Sequence, residues 1–564
     1  MLSVHALFLL AIVQTLVPAT SSACTNFLIT KGASVDGSTM ISYAADSHKL
    51  YGELYHTPAR IHAEGAMREI YEWDTGTYLG KIPEVRQTYS VVGNMNEHQV
   101  SIGETTYGGR EELQDPKGII DYGSLMFIAL ERAKSAREAI QIMTDLVAEH
   151  GYYSSGESFS IADPDEVWIM EMIGKGPGNK GAVWVARRIP DGYISAHANQ
   201  ARIRAFPRND KRNCLYAKDV VSFAKEKGFY KGSDADFSFT DAYAPMTCKA
   251  LRICEARVWA MFRRAAPSRD WNADYVMCKP KAKPKAKPKA KPLPLWIKAD
   301  RKLRVEDVMA FMRDHFEGTP MDLTKGVGAG PFELPYRWRP LYWKLDKVEY
   351  WNERATSTQQ TGFSFVSQMR SKLPDPIGGV HWFSVDDAFS TVYVPMYCGL
   401  FSSPKAYAVG TGDFHHFSWE SAFWVFNWVS NWTYTRYRDM IPIVQKEQQK
   451  LEGSFFARQE SIEKEARRLF RESPERARTF LTNYSHEQAQ KTVDRWRLLG
   501  QELFVKFLDG NVRDEHGKIT HPPLPDRWYR RIVKENGELY RTRKLPGEPE
   551  EKKPEPKCEC PKPH

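Results

Sequence analysis

The stretch ACTNFLITKGASVDGSTMISYAAD (residues 23–46) predicts the start of the folded protein. "TNFLIT" and "TMISYAA" are short apolar runs typical of strands, and "SVDGST" between them carries an Asp-Gly turn. We therefore expect two strands joined by a turn, with Cys24 directly before the first strand.

The residues ahead of Cys24 are typical of a signal peptide. Residues 1–23 contain no Asp, Glu, Lys or Arg, and the nearly all-apolar run 6–17 is too short to span a bilayer. Ser21 and Ala23 occupy the −3 and −1 places of a cleavage site. We predict cleavage before Cys24 and a secreted or periplasmic protein. A buried N-terminal segment is one alternative. A lipid anchor on Cys24 is another, disfavoured because Ser21 stands where lipidation sites carry a large aliphatic residue.

The distribution of charge limits the kinds of partner that the protein can bind. The net charge of +9 is mostly local, because KPKAKPKAKPKAKP (279–292) contributes seven lysines. Without that run the charge is close to balanced, so no nucleic-acid partner is expected. No later segment is apolar enough to span a membrane. The sequence leaves the oligomeric state open, a homo-oligomer included.

The order of the predicted elements indicates an α+β protein. Pairs of short strands alternate with a helix predicted over 121–151, and two amphipathic helices are predicted within 457–510. We expect a signal peptide at 1–23, a main domain at 24–452 with an exposed loop at 279–292, a helical segment at 453–510 and a disordered tail at 541–564.

Cys24 is the candidate nucleophile. A thiol attacks only as thiolate and needs a base within reach. If the signal is removed before Cys24, the residue carries its own base, an α-amino group with an unperturbed pKa near 7.7–8.0. An inert or disulfide-bonded cysteine is the alternative.

Other catalytic arrangements lack their sequence signals. A papain-type site with His197 and Asn199 would need different residues around Cys24, and no G-x-S-x-G or H-E-x-x-H pattern occurs. The terminal "CECPKPH" could hold a metal only weakly. We therefore expect no metal and no other cofactor.

Several blocks resemble one family in their order along the chain. Besides residues 23–46, they include "VVGNMNEHQVSIGETT", "GESFSIADPDEVWIMEM", "GYISAHANQARI" and "CEARVWAMFRRAAPS". Together they resemble the cysteine-type dipeptidases of the N-terminal nucleophile (Ntn) hydrolases, which include dipeptidases A and D and the secernins. The resemblance implies a four-layer αββα sandwich, here with a C-terminal helical segment, and metal-free hydrolysis of dipeptides.

The resemblance also implies site residues. Asp46 matches the aspartate of an Arg-x-x-Asp motif, whereas Tyr43 stands in place of its arginine. Asn199 matches an asparagine that can donate to the developing oxyanion, and Arg257 matches a late arginine. With Cys24, these residues form the predicted catalytic set.

The predicted substrate-binding set lies around the same site: Tyr43, Glu104, Thr106 and Glu171. Glu104, Thr105 or Thr106 stands where related acylases have a second oxyanion asparagine. Glu104 or Glu171 could bind the free ammonium group of a dipeptide. An amidase for N-acyl amino acids or bile conjugates shares this chemistry and remains an alternative, as does a lipid-anchored binding protein without catalysis.

Overall fold

The computed structural model describes residues 24–278, 292–336 and 340–541. The predicted signal peptide, residues 279–291 of the predicted loop and the tail from residue 542 lie outside the described residues. Within them, antiparallel sheets and helices confirm the α+β class.

Two large sheets form the centre of the fold, and all their strand pairs are antiparallel. The first sheet has these strands in spatial order: Trp296–Ile297, Ile194–His197, Thr25–Ile29, Thr39–Asp46, Thr361–Met369, Val380–Val385 and Val394–Tyr397. The second sheet has these: Cys214–Tyr216, Ala182–Arg188, Val167–Gly174, Gly156–Ala162, Ser101–Gly108, Met95–Asn96, Val91–Val92 and His56–Thr57.

The two sheets face each other through small and polar residues. A Cβ atom at Gly103 would lie 2.9 Å from the side-chain amide of Asn26 and 3.2 Å from Cβ of Tyr43, so glycine permits the close approach. Ser101 and Ser367 also join the sheets through a hydroxyl contact of 2.8 Å. This packing brings the strand Ser101–Gly108 against the first strand of the chain.

The helix predicted over 121–151 is wrong as a single element, because two helices occupy it, Tyr122–Arg132 and Ala136–His150. Asn96 Nδ2 donates to the carbonyls of Leu130 and Ala133 at 2.7 Å each, which satisfies the end of the first helix. Ser135 then caps the second helix by accepting from a backbone N–H. Both helices pack in one hydrophobic core with the outer face of the second sheet.

The described residues also form further helices and small hairpins outside the two large sheets. The other helices are Val220–Glu226, Phe239–Tyr243, Cys248–Ala250, Ala256–Ala265, Val305–Met312, Asp375–Gly378, Ala422–Thr435, Tyr437–Glu472, Pro474–Lys506 and Asp526–Tyr540. The small hairpins are Arg60–Ile61 with Gln87–Thr88, Met67–Tyr71 with Tyr78–Pro83, Tyr342–Leu345 with Val348–Trp351, and Val512–Arg513 with Ile519–Thr520.

The C-terminal helices are longer than the sequence pattern predicts. Tyr437–Glu472 and Pro474–Lys506 replace the two helices expected within 457–510, and the predicted domain boundary at 452/453 falls inside the first of them. The chain divides into two compact units, one ending at Val505 and one beginning at Lys506. Among the described residues, no helix has the length and apolar character needed to cross a bilayer.

Candidate active site

Cys24 stands immediately before the strand Thr25–Ile29, the centre of the candidate site. In this strand Asn26 lies opposite Tyr43 on one side and opposite His197 on the other. Because of this register, residues 43–46 and 197–199 lie close to Cys24. Cys24 itself is buried, with 1% of its surface exposed.

The Cys24 thiol contacts a tyrosine and a carboxylate. Its Sγ lies 3.6 Å from Tyr43 Oη and 3.4 Å from Glu104 Oε1, and Tyr43 donates to the same carboxylate oxygen at 2.6 Å. Burial, and then the charges of Glu104 and Asp46, raise the pKa of the Cys24 thiol well above its usual value. The thiol therefore rests protonated, and attack requires a base.

Arg257 holds the Cys24 backbone and the side chain of Asn199. Its Nη1 donates to the Cys24 carbonyl at 2.6 Å, and its Nη2 donates to Asn199 Oδ1 at 2.9 Å. Asn199 Nδ2 in turn donates to the Thr106 carbonyl at 2.7 Å. Burial, and then the neighbouring charge of Arg354, lower the pKa of Arg257 to about 10, which keeps it cationic at neutral pH. Arg257 thus links the side chain of Asn199 to the backbone of Cys24.

Asp46 is paired with an arginine that the sequence analysis missed. Arg354 Nη2 donates to Asp46 Oδ2 at 2.8 Å, and Thr361 Oγ1 donates to Oδ1 at 2.6 Å. Burial raises the pKa of Asp46 to about 6, against the opposing charge of Arg354. The backbone N–H of Asp46 also donates to the Cys24 thiol. A guanidinium therefore accompanies Asp46 although Tyr43 replaces the arginine of the motif.

Glu171 has backbone partners on another part of the fold. Its carboxylate accepts from the N–H groups of Arg202 and Ile203 at 2.5 and 3.0 Å. Burial raises the pKa of Glu171 to about 8, although these two donors oppose the shift. Its contacts are those of a structural anchor.

His197 is held between two hydroxyl groups. Its Nδ1 lies 2.7 Å from Thr105 Oγ1 and its Nε2 lies 2.7 Å from Ser160 Oγ. Burial, and then the charge of Arg202, lower the pKa of His197 to about 3. Such an imidazole is neutral and poorly basic, so it is a weak candidate for the base.

Glu157 is a second buried carboxylate beside Glu104 that the sequence analysis missed. Both oxygens of its carboxyl group are buried without a hydrogen-bond partner among the described residues. Burial, and then the charge of Glu104, raise the pKa of Glu157 well above its usual value. Glu157 lies at the start of the quoted block "GESFSIADPDEVWIMEM", in phase with Phe159 and Ile161, and a polar residue among these apolar positions is the signal that could have found it.

The described residues include no group of three or more His, Cys, Asp or Glu side chains suited to a metal ion. The terminal "CECPKPH" lies outside them. One disulfide is described, between Cys248 and Cys278.

Comparison with known proteins places the chain among the cysteine peptidases. Three relatives are similar to it over most of its length. A "Probable dipeptidase" of Latilactobacillus sakei is 28% identical over 406 residues, 68% of this chain and 76% of the relative. A "Probable dipeptidase" of Salmonella dublin is 27% identical over 400 residues, 67% and 81% of the two chains. A "Probable dipeptidase B" of Streptococcus pyogenes serotype M1 is 23% identical over 503 residues, 86% and 93% of the two chains.

The family follows from a second comparison. The family model of Peptidase family C69 matches residues 23–450, and the chain belongs to this family. The resemblance to cysteine-type dipeptidases inferred from the sequence blocks is thereby confirmed.

Proposed function

We propose that this protein is a dipeptidase that uses Cys24 as an N-terminal nucleophile, exposed when residues 1–23 are removed during export to a secreted or periplasmic location. The observation that carries the proposal is the buried thiol between Tyr43 and Glu104, with its backbone carbonyl held by Arg257. The names of the relatives support dipeptides as the substrate class.

The reaction follows from these positions. The α-amine of Cys24, directly or through a water, accepts the thiol proton, and the thiolate attacks the scissile carbonyl carbon. Asn199, oriented by Arg257, and a backbone N–H stabilise the oxyanion. The amine product leaves with a proton, and water then hydrolyses the thioester.

The layered arrangement supports the Ntn-hydrolase sandwich as the fold of this domain. Two antiparallel sheets face each other, and the helices Tyr122–Arg132 and Ala136–His150 cover the second sheet. The nucleophile at the head of a central strand agrees with that architecture. An experimental structure of this domain, superimposed on a known Ntn hydrolase, would test this fold assignment.

The mature N-terminus tests the proposal most directly. We expect intact mass and Edman sequencing of protein exported by its own leader to give an unblocked cysteine as the first residue. The reason is the Ser-x-Ala pattern at 21–23. A fatty-acyl or diacylglyceryl mass on Cys24 would overturn the mechanism, because lipidation consumes the thiol.

Replacing Arg354 by methionine should shift the acid limb of the kcat/KM profile to higher pH. Arg354 favours the ionised form of Asp46, whose pKa is about 6, so removing the guanidinium raises that pKa further, by about one unit or more. Arg354→Lys keeps a charge and should keep most of the wild-type profile. A uniform fall in kcat/KM without a shifted limb would show that Arg354 acts only in folding.

A further inference from the structure

Glu104 and Glu157 form a buried acidic pair next to the nucleophile. They lie on the neighbouring antiparallel strands Ser101–Gly108 and Gly156–Ala162, and each is 1% exposed. In the register Glu157 is opposite Thr106 and Glu104 is opposite Phe159. The two glutamates are therefore diagonal neighbours on one face of the sheet, within reach of each other.

The pair is distinguished by unpartnered oxygens: among the described residues, Oε2 of Glu104 and both carboxyl oxygens of Glu157 are buried without a hydrogen-bond partner. Several other buried carboxylates pair with an arginine, among them Asp46 with Arg354, Glu255 with Arg202, Glu452 with Arg313 and Glu463 with Arg370. Within the described ranges, neither Glu104 nor Glu157 forms an ion pair with Lys, Arg or His. Buried polar atoms without a hydrogen-bond partner are costly and rare in folded proteins, so these oxygens indicate a missing donor.

A buried hydroxyl next to the pair also points to a missing ligand. Tyr152 is fully buried, and within the described residues its Oη has no hydrogen-bond partner. Burial, and then the charge of Glu157, raise the pKa of Tyr152 well above its usual value, which places the ring close to that carboxylate. Tyr152 Oη and the unpartnered oxygens of Glu104 and Glu157 are thus acceptors that a multiple N–H donor could satisfy.

We propose that Glu104 and Glu157 together bind the α-ammonium group of the substrate, with Glu157 as the specificity-determining residue. This inference rests on the proposed dipeptidase function. A primary ammonium has three N–H donors, which matches two neighbouring carboxyl groups with unpartnered acceptor oxygens. The site then requires a free amine on the residue whose carbonyl is attacked.

The distances fit this assignment. In an amino acid residue the α-nitrogen lies about 2.5 Å from the carbonyl carbon, from the standard N–Cα and Cα–C bonds. Sγ of Cys24 lies 3.4 Å from Glu104 Oε1. An ammonium hydrogen-bonded to Glu104 therefore leaves the scissile carbon able to approach Sγ to the roughly 3–3.5 Å that attack requires. An N-acylated substrate would bring a neutral amide to the same carboxylates, which disfavours the amidase alternative.

Ligand binding to the full chain with Cys24→Ala tests the proposal without turnover. The ligands are Ala-Ala and N-acetyl-Ala-Ala, measured by calorimetry with and without Glu157→Gln. We expect Glu157→Gln to weaken Ala-Ala at least about tenfold and to leave the acetylated ligand nearly unchanged. Glu157→Asp, which keeps the charge, should lose less. Asp386→Asn is the matched control, because it neutralises a fully buried carboxylate that accepts hydrogen bonds from Asn427 and Ser430; it should leave the tighter binding of Ala-Ala over N-acetyl-Ala-Ala intact.

Two outcomes would overturn the assignment. Equal weakening of both ligands would mean that the pair serves another cation, such as the α-ammonium of residue 24. Unchanged binding of Ala-Ala would mean that the ammonium is held elsewhere. If Glu157→Gln does not fold, the same two ligands are measured with Glu157→Asp. A smaller difference in affinity between Ala-Ala and N-acetyl-Ala-Ala then supports the assignment, and an unchanged difference contradicts it. Failure of the proposed function is seen separately, as turnover of Ala-Ala by the Cys24→Ala variant.

Discussion

Cys24→Ala removes the dipeptidase activity, with kcat/KM expected to fall by about 10⁴-fold or more. The reason is that the thiol is the attacking group and that the side chains touching it, Tyr43 and Glu104, cannot replace it in a thioester route. Cys24→Ser should keep a trace of activity, because a hydroxyl is a much poorer nucleophile at neutral pH. Steady-state hydrolysis of Ala-Ala is the measurement.

A matched control separates loss of chemistry from loss of folding. Cys214 is also buried and also outside the described disulfide, but it lies on the strand Cys214–Tyr216 at the edge of the second sheet. Cys214→Ala should therefore keep wild-type turnover, and Cys24→Ala should unfold thermally close to the wild type. Turnover above one tenth of wild type in Cys24→Ala would refute Cys24 as the nucleophile.

An alanine placed ahead of Cys24 tests the amine while the thiol is kept. The α-nitrogen then becomes an amide that cannot accept a proton, and general-base assistance is typically worth 10²–10⁴-fold. We expect kcat/KM to fall at least about a hundredfold, because burial keeps the thiol protonated and a base is required. The control is the same chain with a removable leader, which after cleavage starts at Cys24.

Near-normal turnover by the extended chain would mean that the general base is a side chain and not the α-amine of Cys24. The structure then favours Glu104, whose Oε1 lies 3.4 Å from Sγ and whose pKa is raised by burial. His197 would be a poor substitute, because its two ring nitrogens are engaged by Thr105 and Ser160. Glu104→Gln in the extended chain would decide between these groups.

The local part of the site could be predicted from sequence, and the distant part could not. The strands Thr25–Ile29 and Thr39–Asp46 follow from an alternating pattern and an Asp-Gly turn, and the family resemblance supplied Asp46, Asn199 and Arg257. Arg354 lies 308 residues from its partner Asp46, and no local pattern connects them.

Glu157 and Glu171 show a second limit of prediction from sequence. Glu157 and Glu171 both lie on buried strands, and either could be chosen from an alternating pattern. In the sheet Glu171 lies opposite Ser158, so it belongs to the face opposite that of Glu157. Which face meets Cys24 depends on how the sheets stack, and that is set by contacts far apart in the chain.

The strand order of the first sheet has a consequence for biosynthesis. Thr39–Asp46 emerges early but pairs on one side with Thr361–Met369, more than 300 residues later. Until the later strand is made, the growing polypeptide carries an open, apolar sheet edge, which is a template for aggregation. Fragments that stop before residue 361 should be insoluble, and a chaperone that shields strand edges would raise the yield of the full-length chain.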